Sequence, residues 1–181
     1  NFMMGATTAE ISIPNGNKYE QPTGLFINGE FVASSDGKTA EVENPGNGNI
    51  VCSVHLASIE DINTAVEAAE DAFFKRWATI SGKAKGEYLS KIADLIVKYS
   101  DQLADLEAIE SGKPKDTNAI FDVLHSADVF RYYAGKAVTA QSGKTIESEL
   151  SKFTYTVYEP YGVCAAIIAW NFPMSCLLYT S

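Results

Sequence analysis

The chain has 181 residues, 46% hydrophobic and 20% charged, with 14 Lys and Arg against 23 Asp and Glu for a formal net charge of −9. This is the composition of a globular chain long enough to bury a core, one domain or one and a piece of another, and it excludes a disordered or collagen-like chain. The acidic balance argues against a nucleic-acid partner and against polybasic membrane attachment, and no apolar run approaches the roughly 20 residues of a transmembrane helix.

Residues 1–20 are polar, contain Gly5, Pro14 and Gly16, and read as a flexible tail with no secretory or transit signal. Leu25 to Val32 reads as a hairpin, because Asn28-Gly29 between two short apolar runs supplies the positive φ of a type I′ turn. Thr39 to Val42 and Ile50 to Val54 read as strands. The Gly- and Asn-rich stretch between them, Asn44 to Asn49, reads as a turn; it lacks the G-x-G-x-x-G or Walker pattern of a phosphate cradle and carries no basic residue. A first helix starts at Ser58, a good N-cap, with Glu60 and Asp61 in its first turn and a stripe from Ile62 to Trp77. A second runs from Ser81 to Gly112, where Gly112 and Pro114 stop it. A third runs from about Thr117, with Ile120, Val123, Leu124, Ala127, Phe130 and Tyr133 inward. From Val138 the period becomes two, and Val138 to Ile146 and Phe153 to Tyr158 read as paired strands. Val163 to Ala169 is a continuous apolar run, the pattern of a strand buried on both faces of a parallel sheet. It ends in Trp170-Asn171-Phe172-Pro173, and the carboxyl end of such a strand is where open α/β sheets bind ligands.

Few chemical constellations are supported. His55 and His125 stand far apart, and Cys52, Cys164 and Cys176 have neither metal-ligand nor disulfide spacing; an odd set of thiols fits a reduced, cytoplasmic protein. Cys52 and Cys164 lie in strand-like apolar segments and read as packing. Glu107 and Glu110 share one helix face and read as solvated. Asn171 has two readings, a turn cap or an amide donor to an oxyanion.

Tyr161 to Pro173 resembles a segment of the aldehyde dehydrogenases. Leu25 to Val32 resembles the opening hairpin of that family, and Glu43-Asn44-Pro45 its following turn. Glu110-Ser111-Gly112-Lys113-Pro114, Phe130 to Gly135 and Gly143-Lys144-Thr145-Ile146 also resemble family motifs, in family order over about residues 22–174. The classical, cytosolic-type NAD-dependent branch is most similar, fungal enzymes in particular. The resemblance implies an α/β fold: residues 21–137 as the N-terminal part of an NAD-binding domain, 138–159 as an oligomerisation arm, and 160–174 as the first strand and turn of a Rossmann-like sheet. It implies oxidation of a small aldehyde to a carboxylic acid with NAD, NADP being possible. A cysteine thiolate attacks the aldehyde, an asparagine amide stabilises the oxyanion, hydride passes to the nicotinamide and a glutamate activates water. By position Asn171 matches that asparagine. Ile167, Ile168, Ala169 and Trp170 match the dinucleotide-lining segment, Asn171 ending it, and Phe172 matches a wall of the substrate tunnel. Ala169 stands where the family usually has proline. None of the three cysteines matches the nucleophile, which, with the general-base glutamate, falls beyond Ser181. The likeness stops after Met174, so 175–181 reads as a non-native tail and the chain as an N-terminal, catalytically incomplete piece of a homodimeric or homotetrameric enzyme. The alternative is a non-catalytic helical interaction module, a short isoform that docks on full-length subunits.

Overall fold

The computed structural model describes residues 7–139 and 143–179 of the chain. It opens with three antiparallel hairpins: β1 (Thr8–Ser12) with β2 (Lys18–Pro22), β3 (Leu25–Ile27) with β4 (Glu30–Val32), and β5 (Thr39–Glu43) with β6 (Ile50–His55). Helices follow: α1 (Ile59–Lys75), a 3₁₀ turn (Trp77–Thr79), α2 (Gly82–Lys98), α3 (Ser100–Ser111), a π turn (Lys115–Ala119) and α4 (Ile120–Thr139). A fourth hairpin, β7 (Thr145–Glu149) with β8 (Lys152–Tyr155), and helix α5 (Pro173–Tyr179) complete it.

Local chemistry accounts for most of these boundaries. Asn28 and Gly29 have φ of 52° and 86°, the positive pair that a type I′ turn requires. The Asn44 to Asn49 stretch is a turn, closed by the Asn44 and Asn47 side chains onto the Gly46 and Asn49 amides. Ser58 and Asp61 form a full capping box at the start of α1, and the Ser81 hydroxyl accepts from the Ala84 amide at the start of α2. Gly112 ends α3 in the left-handed region at φ 74°.

Several expectations are corrected. Residues 8–22 are not a loose tail: Ile11 and Ile13 are buried, and Pro14 to Asn17 turn the chain back into β2. The tail reading for residues 1–6 lies outside the described residues. The single helix expected over 81–112 breaks at Tyr99, whose φ and ψ of −104° and 17° re-aim the chain. The buried face then passes from Gly86 and Ala93 on α2 to Ala104, Asp105 and Glu107 on α3. The expected strand at Val138 is absent because Val138 and Thr139 continue α4, tertiary context overriding β propensity; residues 140–142 lie outside the described residues. Residues 175–179 continue α5, while 180–181 lie outside the described residues.

Val163 to Ala169 forms no strand. A strand exists only by pairing, and the described strands pair only with one another, in four separate two-stranded ladders, with none of their free edges beside this run. The core is correspondingly small: Ala104, Ala119 and Val123, edged by Ile96, Leu103, Ala108, Ile120 and Met174. α2 and α4 approach closely at Gly86, where a Cβ would meet the Ala134 carbonyl at 2.7 Å. Much of the apolar striping expected inward, Ile62, Val66, Leu95, Leu124 and Tyr133 among it, is exposed. No described helix is long and apolar enough to cross a membrane.

Candidate functional site

The Trp170-Asn171-Phe172 turn sits between a free segment and a fixed one. Upstream, Ile167 is 96% exposed and Trp170 81% exposed, and apart from the local turn over Trp170 and Asn171 no backbone hydrogen bond ties Ile167–Asn171 to another described element. Downstream, Pro173 opens α5, a position where its missing N–H costs nothing. The Cys176 amide donates to the Phe172 carbonyl at 2.9 Å, Met174 reaches the core, and the Ser175 hydroxyl donates to the Asp122 carbonyl at 3.3 Å. The Asn171 side chain is exposed at this junction.

Behind the turn lies a buried ionic group. Lys113 Nζ donates to Glu107 Oε1 at 2.8 Å and to Asp122 Oδ2 at 2.6 Å, and stands 4.3 Å from the centre of the Phe172 ring. Gly112 makes the contact to Glu107 possible, because its left-handed φ turns the chain back past the end of α3. Burial would push the Lys113 ammonium down; hydrogen bonds to Asp122 and Glu107 outweigh it and hold it above its usual range. Burial also raises the Glu107 carboxyl against the pull of Lys113, and the Asp122 carboxylate adds to the rise. Glu107 Oε2 is buried and accepts no hydrogen bond from a described residue. The Glu107 side chain is therefore not solvated, contrary to the expectation from its spacing with Glu110, which is exposed.

The sequence-matched residues are brought together only as neighbours in one turn: Ile167, Ile168, Ala169 and Trp170 lead into Asn171, and Phe172 closes it. Phe172 is held by Lys113; the others touch no charged group that the structure records. Sequence reasoning quoted Lys113 as part of a motif and missed its reach to Phe172. The available signal was the order acid, glycine, lysine: Glu107 and Lys113 flank a helix-ending glycine. Cys52 is half-buried and its thiol is pushed up by burial, the wrong direction for a nucleophile. Cys164 is exposed beside the Gly162 carbonyl.

A dinucleotide needs apolar surface for its rings and free amides for its polar edges. Ile167, Ile168 and Trp170 offer exposed apolar side chains, on a backbone whose amides donate to no other described element, so the donor set fits such a group.

Residues 31–180 match the model of the aldehyde dehydrogenase family. The chain is 45% identical over 166 residues to an aldehyde dehydrogenase of Aspergillus niger, covering 92% of this chain and 33% of that one. It is 43% identical over 156 residues to aldehyde dehydrogenase [NAD(P)+] 2 of Saccharomyces cerevisiae, covering 86% and 31%. The fold matches a Bacillus cereus aldehyde dehydrogenase solved as its NAD+ complex, with a TM-score of 0.84 and 38% identity over 88% of this chain and 33% of that one. The chain thus spans about a third of the length of the relatives it matches. The family model covers most of the chain, and the chain belongs to the aldehyde dehydrogenase family.

Proposed function

We propose that this chain serves the NAD(P)-dependent oxidation of an aldehyde to a carboxylic acid, with Asn171 as the amide donor to the oxyanion that develops on the aldehyde oxygen. The observation that carries this reading is the placement of Asn171: an exposed amide between an unpaired apolar segment and a helix tied to the core. A donor held on one side and free on the other can face a reacting oxygen without first breaking an internal bond. Ile167, Ile168, Ala169 and Trp170, with the Asn171 backbone, would line the dinucleotide, and Phe172 would form one wall of the aldehyde passage. The bound coenzyme supplies the hydride acceptor. The attacking thiolate is assigned to none of Cys52, Cys164 and Cys176, so this chain alone is inactive in this reading.

The exposed β7–β8 hairpin, with Phe153 and Tyr155 outward, supports assembly of the intact protein as a homodimer or homotetramer through residues 138–159. That neither Cys52 nor Cys164 is in a disulfide supports a cytoplasmic location. The same hairpin favours the second reading, a non-catalytic module that docks on full-length subunits. An assay of coenzyme reduction with a panel of aldehydes decides between them. The intact enzyme carrying this segment is expected to turn over, and Asn171→Ala to lower kcat by about 100-fold or more. Turnover indifferent to Asn171→Ala would overturn the oxyanion role.

A further inference from the structure

We infer that Lys113 is a positioning residue for Asn171, acting through the ring of Phe172; the inference rests on the oxyanion reading of Asn171. The ammonium has two carboxylate partners, Glu107 and Asp122, whose side chains are 2% and 8% exposed, and its own side chain is 16% exposed. Such a cation is fixed in place and poorly screened by water. It presents its remaining face to the Phe172 ring at 4.3 Å, within the distance at which a ring quadrupole attracts a cation. Phe172 adjoins Asn171, and between Ile167 and Asn171 no backbone hydrogen bond ties the chain to another described element. The donor's placement is therefore set from the downstream side. Met174 and Ser175 fix the start of α5 there, and Lys113 fixes the ring.

The supports converge on one place. Asp122 receives Lys113 on its carboxylate, while its carbonyl accepts from the hydroxyl of Ser175, so α4 holds both the cation and the helix that follows the turn. Glu107 brings α3 into the same cluster through Oε1. Loss of the ammonium would free the ring and let the Asn171 amide move relative to a reacting oxygen. A displacement of that kind is felt in the transition state more than in coenzyme binding.

The test is a mutant cycle in the full-length enzyme, with kcat expressed per titrated coenzyme site so that unfolded protein does not enter. Lys113→Met is expected to lower kcat per site about tenfold and leave the KM for coenzyme within about twofold. In an Asn171→Ala background the same change should cost no more than about twofold, since a displaced donor matters only where the donor exists. Lys113→Met strands two buried carboxylates, so Glu107→Gln/Lys113→Met/Asp122→Asn provides a second variant that lacks the cation but buries no unpaired charge; it should show the same loss and the same dependence on Asn171. Undiminished kcat per site in either variant, or an equal loss with and without Asn171, would overturn the positioning role while leaving the oxyanion reading intact. A silent Asn171→Ala would instead sink the oxyanion reading, and this inference with it.

Discussion

Asp105 and Glu107 are two carboxylates on one helix, two residues apart and so on different sides of α3. Both are buried, at 2% and 5% exposure. Asp105 is saturated: Asn15 donates to Oδ1 at 3.1 Å, Asn17 and Tyr19 donate to Oδ2 at 2.9 and 2.8 Å, and Lys115 pairs with Oδ1 at 2.9 Å. Burial pushes that carboxyl up, but Lys115, Asn17, Tyr19 and Asn15 outweigh it and bring it to about 2. Glu107 has Lys113 on one oxygen and no described partner on the other, and it moves the opposite way. Burial alone does not decide what a buried acid does; the number of donors facing it does. The saturated acid is a knot that ties the first hairpin to α3. The under-satisfied one belongs to the cluster beneath the Asn171 turn, where it shares one fixed cation with Asp122.

The widest gap between the two should appear on deletion. Asp105→Ala leaves the Asn15, Asn17 and Tyr19 donors without their acceptor and Lys115 with Asp101 alone, and is expected to cost about 2–4 kcal/mol in chemical denaturation. Hydrogen exchange should show β1 and β2 released first. A loss under about 1 kcal/mol would mean that the hairpin is held by Ile11 and Ile13 alone, and the knot would be no knot.

Acid reads the same contrast without mutation. The folded Asp105 value of about 2 lies below its ordinary 3.8. The unfolded state therefore binds more protons between those values. The contribution of Asp105 is full above the unfolded value and is lost as pH falls through the folded one, about 2 kcal/mol in all. In Asp105→Asn this segment of the stability–pH curve should flatten.

How much of this was legible from residues alone differs between the two sites. The N-cap at Ser58, the Asn28-Gly29 turn and the stop at Gly112 are local chemistry, and the structure keeps each of them. The first hairpin was misread because its turn, Pro14-Asn15-Gly16, was visible while its anchor was not: Asp105 lies 86 to 90 residues from the side chains it binds. Tyr99 breaks a helix whose periodicity continues unbroken, for a reason that lies in what each half packs against. The Val163 to Ala169 run carries a strand's composition but pairs with no described strand, and composition cannot supply a partner. At the candidate site the chain order of Ile167 to Phe172 was readable. The approach of Lys113 to Phe172 was not, because it depends on where α3, the π turn and α5 bring three separated segments.

Gly112 offers a finer probe of the second site. Its φ of 74° disfavours any side chain, and a Cβ there would meet Pro45 Cγ at 2.9 Å. Gly112→Ala is expected to cost about 1–2 kcal/mol. Because the same turn aims Lys113 back at Glu107, it should also loosen the cluster, whereas the Asp105 knot should keep its hydrogen-exchange protection. Equal loss of protection at both sites would erase the distinction between them.

The smallest effect is the most discriminating, because its sign is opposite to that of Asp105→Ala. Glu107 holds its proton more tightly folded than unfolded, so between its ordinary 4.5 and its raised folded value the native state binds more protons. Stability contributed by the neutral form is present below the unfolded value and is lost as pH rises through the folded one. Glu107→Gln keeps an oxygen for Lys113, removes the penalised charge and replaces the unpartnered oxygen with a donor beside the Asp122 carboxylate. It should leave stability at pH 7 unchanged or raise it by up to about 1 kcal/mol, and flatten the decline above pH 4.5. Denaturation across pH, wild type against variant, reads both. A loss of several kcal/mol would show that Glu107 is as fully satisfied as Asp105 and that the two acids do the same work.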